Sequence, residues 1–128
     1  MSVELRLLVW ATALTLIQAM TAAQGAQLQV GLRRLAGNRE NLPPIRGWAG
    51  RAQRAHRNML ENFVLFAALV LVAQIAGKTN AATALGAQLF FWARLVYVPV
   101  YIVGIPWART GVWAVSVAGL VMIFVQLV

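Results

Sequence analysis

A chain of 128 residues is one domain by length, yet 61% of it is hydrophobic and only 11% charged, far below the roughly 25% charged of a soluble domain. Its net charge of +8 does not point to nucleic acid, because a soluble nucleic-acid binder would not spread long apolar segments around its basic patch. The lack of cysteine excludes a disulfide framework, a thiolate nucleophile of the protein's own and a cysteine metal site, and a single histidine supports no metal centre either.

The pattern reads as an all-α membrane protein, a bundle of four transmembrane helices in one domain spanning residues 1–128. Segment one, about 5–32, is apolar, with Gln18, Gln24 and Gln27 among alanine and glycine in its second half. Gln24 and Gln27 share one side, so that half is expected to face protein rather than lipid. Ala22, Ala23, Gly25 and Ala26 would let a neighbouring helix approach closely, as membrane bundles require. Glu4 and Arg6 give no net positive start, and no clean cleavage site follows, so this segment is expected to be retained rather than removed as a signal peptide.

A basic loop follows at about 33–57. It holds Arg33, Arg34, Arg39, Arg46, Arg51, Arg54 and Arg57 against one acid, Glu40. The turn around Asn80 offers only Lys78, and the amino terminus only Arg6. The positive-inside rule therefore places the arginine-rich loop in the cytoplasm. Such runs also commonly contact anionic lipid headgroups. Pro43-Pro44 breaks any helix leaving segment one, and Gly47 and Gly50 are expected to loosen the chain before the next helix.

Segment two, about 51–76, begins in this basic stretch and runs into apolar residues. On a helix Arg54, Asn58 and Glu61 lie at i, i+4 and i+7, with Arg57 at the flank, so a cation, an amide and a carboxylate share a face. An acid at the mouth of an apolar segment needs a partner, and intramembrane ionisable groups are functional candidates. Segment three, about 81–105, carries Arg94, Tyr97 and Tyr101 at i, i+3 and i+7. Arg94 lies too deep to snorkel, so it is expected to face the interior and find an acceptor. Pro99 frees the carbonyl of Leu95 in the same helix. Segment four, about 107–128, opens with Trp107, Arg109, Thr110 and Trp113, the tryptophans placed as interfacial aromatics.

Four spans bring Arg33, the Arg51 to Arg57 run and Arg109 to one side, with Glu61 and Tyr101 about a turn inside. The expected pocket is cationic and floored by tyrosines. It suits an anionic, partly peptidic ligand meeting an apolar one. A four-span transporter of similar length would want an acid deep in its first helix, whereas Glu4 stands at that helix's edge.

Arg54-Ala-His-Arg57-Asn58-x-x-Glu61 at the start of the second span resembles the signature of the MAPEG family, the membrane-associated proteins in eicosanoid and glutathione metabolism. Arg94-x-x-Tyr97-x-x-x-Tyr101 resembles that family's third-helix motif, and Arg109-Thr110 its fourth-helix opening. Tyr97 stands where some members have histidine, and Thr110 where serine is common. The alanine-rich sequence is of bacterial type, which would place it in the bacterial inner membrane. The resemblance implies a homotrimer that binds glutathione between subunits at the cytoplasmic side and acts on a lipophilic electrophile or hydroperoxide. It implies that Arg57, Asn58, Glu61, Arg94, Tyr97, Tyr101 and Arg109 take part in glutathione binding or in thiolate stabilisation, and that one of Arg33 and Arg34 matches the family's first-helix arginine and contacts the ligand. Arg54, on the same helical face, joins the candidate set.

Ten of the eleven basic residues are arginine, and planar guanidiniums grip carboxylates in pairs. Glutathione has two carboxylates, and Glu61 is the one acid well placed for its ammonium. A cysteine thiol near pKa 8.5 becomes reactive when a cation or hydroxyl donors stabilise its thiolate, and a hundredfold gain in acidity requires only about 2.7 kcal/mol. Arg109, Thr110 and Tyr101 are the candidates for that task. A family fold without catalysis, serving as a binding or scaffold protein, is the alternative.

Overall fold

The computed structural model describes all 128 residues and contains helices only. They are α1 (Val3–Val30), the short α2 (Leu32–Ala36), α3 (Gly47–Ile75), α4 (Ala81–Val103) and α5 (Pro106–Leu127). The four long ones are each long and apolar enough to cross a membrane. Only 28 of the 128 residues are buried within the chain, so most apolar side chains must be covered by lipid or by another subunit. The protein is an integral multi-pass membrane protein.

The ends of the bundle fix its topology. At one end the Ser2 hydroxyl donates to Gln74 Oε1 (2.8 Å), Asn80 Nδ2 donates to Gln126 Oε1 (2.8 Å), and Lys78 Nζ donates to the Leu127 carbonyl (3.3 Å). Both termini and the α3–α4 turn are thereby gathered together. At the opposite end Arg51 Nε donates to the carbonyl of Ile102 (2.7 Å), tying the arginine-rich segment to the end of α4. Consecutive long helices therefore run antiparallel.

Local chemistry sets the boundaries, and several differ from those expected. Segment one is not a single helix to residue 32: Gly31, at φ 86°, ends α1, and α2 carries Arg33 and Arg34 beyond the break. The basic stretch is not loop through residue 57. The second long helix begins at Gly47, four residues before Arg51, so Arg51, Arg54 and Arg57 are all helical. Gly47 has φ 65° at the helix start. Gly50 does not loosen the chain; it is buried inside α3, where a Cβ would collide with the Ile45 carbonyl. The early start follows from Ala49, Ala52 and Ala55, which recur every third residue and are fully or almost fully buried.

At the other end of the sheetless bundle, Asn80 and Thr83 form a reciprocal capping box at the start of α4, satisfying amides that a helix start leaves unpaired. Gly104, at φ 90°, closes α4 two residues earlier than expected, and Pro106 opens α5 with a ring that suits a first helical position. Glu4 is not free at the membrane edge. It is 4% exposed and accepts a hydrogen bond from the Thr83 hydroxyl (2.7 Å).

Small residues set the crossings. A Cβ on Gly25 would lie 2.6 Å from Ala49 Cβ, so the small residues of α1 admit α3 of the same chain. Gln18 is buried on α1, whereas Gln24 and Gln27 are exposed on the chain surface. Between α4 and α5 the backbones nearly touch, since a Cβ on Gly86 would lie 2.6 Å from the Gly119 carbonyl oxygen and one on Gly119 would lie 2.9 Å from the Phe90 nitrogen. Phe66 of α3 stacks on Phe90 of α4 with ring centroids 4.2 Å apart, filling the centre. Gly119→Leu is expected to force α4 and α5 apart at a cost of at least about 1–3 kcal/mol. Thermal unfolding in detergent should show a clearly lower midpoint, while Gly111→Leu, which meets open space, should leave it near that of the wild type.

Candidate functional site

Three helices meet at the arginine-rich end to form the site. The first half of α3 supplies Arg54, Arg57, Asn58 and Glu61, whose helical spacing turns them to one side. From α4 come Tyr97 and Tyr101, and from the opening turns of α5 come Arg109, Thr110 and Trp113. A cavity of ≈ 270 Å³ is lined by Arg54, Arg57, Asn58, Glu61, Tyr97, Tyr101 and Arg109. An adjoining hollow of ≈ 170 Å³ shares Asn58, Tyr97 and Arg109 and adds Thr110 and Trp113. The main cavity alone lies just below the roughly 300–1,000 Å³ common for small-molecule sites.

Arg94 is the exception among the candidates on these three helices: it stands behind the cavity rather than in its wall. Its side chain is 1% exposed, and Nη1 donates to Asn58 Oδ1 at 2.8 Å. The acceptor it needed is therefore an amide, not Glu61. Asn62 Nδ2 also donates to Asn58, to the backbone carbonyl at 2.9 Å and to Oδ1 at 3.3 Å. With its Oδ1 taken by donors from within the bundle, Asn58 has its NH₂ group left for the cavity it lines. Arg94 thus sets the polarity of a neighbour that a ligand would meet. Nε and Nη2 of Arg94 have no hydrogen-bond partner, a costly arrangement in a membrane interior.

The cavity wall holds three guanidiniums against one carboxylate, Glu61, together with two phenols and an amide. That set favours an anionic ligand with more than one acidic group and leaves one acceptor for a cationic end. Glu61 and Arg57 are exposed on the chain, and so free to take a ligand. Arg109 lies over the Tyr101 ring, 4.7 Å from its centroid. The Thr110 hydroxyl already donates to the Pro106 carbonyl at 3.1 Å, so its proton is engaged within α5.

Arg33 and Arg34 are not brought into this cavity. They are exposed on α2, and Arg34 Nη2 makes a long 3.5 Å contact with the Asn41 carbonyl. A separate cavity of ≈ 300 Å³ between α1, α2 and α3 is lined by Ala22, Ala23, Ala26, Leu35, Arg39, Gln53, His56, Arg57 and Leu60. Arg57 borders both. Sequence reasoning missed Trp113 as a wall residue, although its i+4 spacing from Arg109 places both on one helical face. The bond from Arg51 to the Ile102 carbonyl was not foreseen either, since it joins residues distant in sequence and leaves no local signal.

Residues 5–128 of the chain match the model of the MAPEG family. No curated protein and no solved structure matches it.

Proposed function

The chain belongs to the MAPEG family, and on that premise we propose that it is a membrane-embedded glutathione-dependent transferase or peroxidase acting on lipophilic electrophiles or hydroperoxides. The observation that carries this reading is the single cavity in which Arg54, Arg57, Asn58, Glu61, Tyr97, Tyr101 and Arg109 converge. Arg54 and Arg57 take the glutathione carboxylates through charge-assisted hydrogen bonds. Glu61 takes the ammonium, and the Asn58 NH₂ group donates to a carboxylate or peptide oxygen. Arg109 stabilises the thiolate. Opening turns of a helix add partial positive charge at the same place.

With an electrophile, the thiolate sulfur forms a bond to carbon while the leaving group departs with its electron pair. With a hydroperoxide, the sulfur attacks the outer oxygen, the O–O bond breaks, and the alkoxide is protonated to an alcohol. A second glutathione then displaces water from the oxidised sulfur to give the disulfide. Between α3 and α5, below the cavity, Leu65, Leu69, Val117 and Phe124 line an apolar hollow, which supports entry of an apolar substrate from that side.

The assembly is a homotrimer with glutathione held between subunits, in the bacterial inner membrane, the arginine-rich end facing the cytoplasm. Two features support a further subunit at the site, the exposed side of the cavity and the large apolar surface of a single chain, and the excess of arginine at that end supports the orientation. Reporter fusions at Val128 and at Asn41 should lie on opposite faces of the membrane, the latter cytoplasmic, and mass measurement in mild detergent should give a trimer. Conjugation and peroxidase assays on purified protein test the activity. Turnover of a lipophilic electrophile or hydroperoxide only with glutathione present is the expected result. Tight glutathione binding without turnover of either class would instead assign the chain a binding role.

A further inference from the structure

Four side chains, two phenol rings between two guanidiniums, form a column from the bundle interior to the cavity. Arg94 Cζ lies 4.2 Å from the centroid of Tyr97, the Tyr97 and Tyr101 rings lie 5.4 Å apart, and Arg109 Cζ lies 4.7 Å from the centroid of Tyr101. The inner end is anchored, since Arg94 is 1% exposed and donates to Asn58 Oδ1 at 2.8 Å. At the outer end no carboxylate holds Arg109; its guanidinium rests on the face of Tyr101. The two residues stand across the α4–α5 turn from each other, where only Gly104 and Ile105 separate the helices.

We propose that the ring of Tyr101, rather than its hydroxyl, holds the Arg109 guanidinium over the cavity, which makes Tyr101 a positioning residue for Arg109. A guanidinium seated on an aromatic face is attracted by the ring quadrupole and keeps the N–H donors at its edge free for an anion. The attraction strengthens where water is excluded. An ammonium can sit over a ring too, but it lacks the planar fork of donors that stays free at the edge, which fits the use of arginine here. The catalytic consequence rests on the glutathione reading, in which Arg109 serves the thiolate. The stacking itself does not.

Two readouts separate these levels. In the first, phenylglyoxal modifies arginines of the ligand-free protein, and the rate at each site is followed by peptide mass spectrometry, with exposed Arg39 as the internal reference. Tyr101→Leu should speed Arg109 modification roughly tenfold, the scale of a lost partly desolvated cation–π contact. Tyr101→Phe should keep the wild-type rate. An unchanged Arg109 rate in Tyr101→Leu overturns the proposal, as does an equal acceleration in Tyr101→Phe. Labelling of the buried Arg94 would report an unfolded variant, in which case Tyr101→Met takes its place.

In the second, the thiolate absorbance of bound glutathione is titrated with pH. Tyr101→Leu should raise the midpoint as Arg109→Ala does, Tyr101→Phe should restore it, and Tyr101→Leu should add nothing in the Arg109→Ala background. Additive shifts would overturn positioning through Arg109. A wild type that binds no glutathione would defeat the functional reading alone and leave the labelling rates to decide the proposal.

Discussion

Arg109→Ala is expected to lower glutathione-dependent turnover roughly a hundredfold, the scale seen when one preorganised donor to a developing or bound anion is removed. Glutathione affinity should fall much less. Arg109 sits in the first turns of α5 over the Tyr101 ring, in both the main cavity and the adjoining hollow. It is thus set apart from the cluster on α3 proposed to meet the charged ends of the tripeptide. A nearby cation favours the charged form of a thiol, so its loss should raise the pH at which bound thiolate absorbs in the ultraviolet. Below the wild-type midpoint both proteins hold thiol, and well above the variant's midpoint both hold thiolate, so the activity deficit should shrink as pH rises. An unmoved midpoint in Arg109→Ala, beside an upward shift in Thr110→Ala or Tyr101→Phe, would transfer the activating role to a hydroxyl. The bond from Thr110 to the Pro106 carbonyl argues against Thr110, because that proton would have to leave one acceptor to serve another.

Arg57→Ala should weaken glutathione binding by about 1.5–3 kcal/mol, roughly ten- to a hundredfold, through loss of a charge-assisted hydrogen bond. Its effect should appear mainly in KM, with kcat changed less, because the carboxylates keep their charge from ground state to transition state. Arg57 borders two cavities, one facing α4 and α5 and the other facing α1 and α2, so an anion in either would feel its charge. Arg57→Lys keeps the charge but not the paired donors, and should recover only part of the affinity. Steady-state kinetics over a range of glutathione concentrations separate the two parameters. A kcat loss matching that of Arg109→Ala, with KM unchanged, would contradict the division of labour.

Helical periodicity made much of this arrangement legible. Arg54, Asn58 and Glu61 on one helix, and Arg94, Tyr97 and Tyr101 on another, are spaced at three and four residues, and such spacing fixes a face without any knowledge of the neighbours. The antiparallel order of four apolar spans then placed those faces and the start of the last helix at one end. What stayed hidden depended on contacts between distant residues. Nothing near Arg94 in sequence says that its acceptor is Asn58 rather than Glu61, because the choice depends on the depth at which α3 and α4 cross. A lone glycine is an ambiguous stop, so Gly31 read as part of a helix that in fact ends there. Gly50 was misread for a related reason: glycine loosens an open chain, yet in a helix pressed against other backbone it is the residue that fits. The alanines at 49, 52 and 55 carry a signal for the earlier helix start, because small residues at a regular spacing of three mark a packed helix face despite Gly47 and Gly50 beside them. Arg33 and Arg34 fall outside the cavity because the break at Gly31 sends α2 away from it.

Calorimetric titration of glutathione into the purified protein in detergent or nanodiscs tests the central claim most directly. The account predicts saturable binding to the wild type and a ten- to hundredfold weaker titration for Arg57→Ala. Glu61→Gln should also bind more weakly, because the ligand's ammonium then loses its carboxylate. Saturable binding that neither substitution alters, or no binding at all to folded protein, would show that this cavity does not hold glutathione.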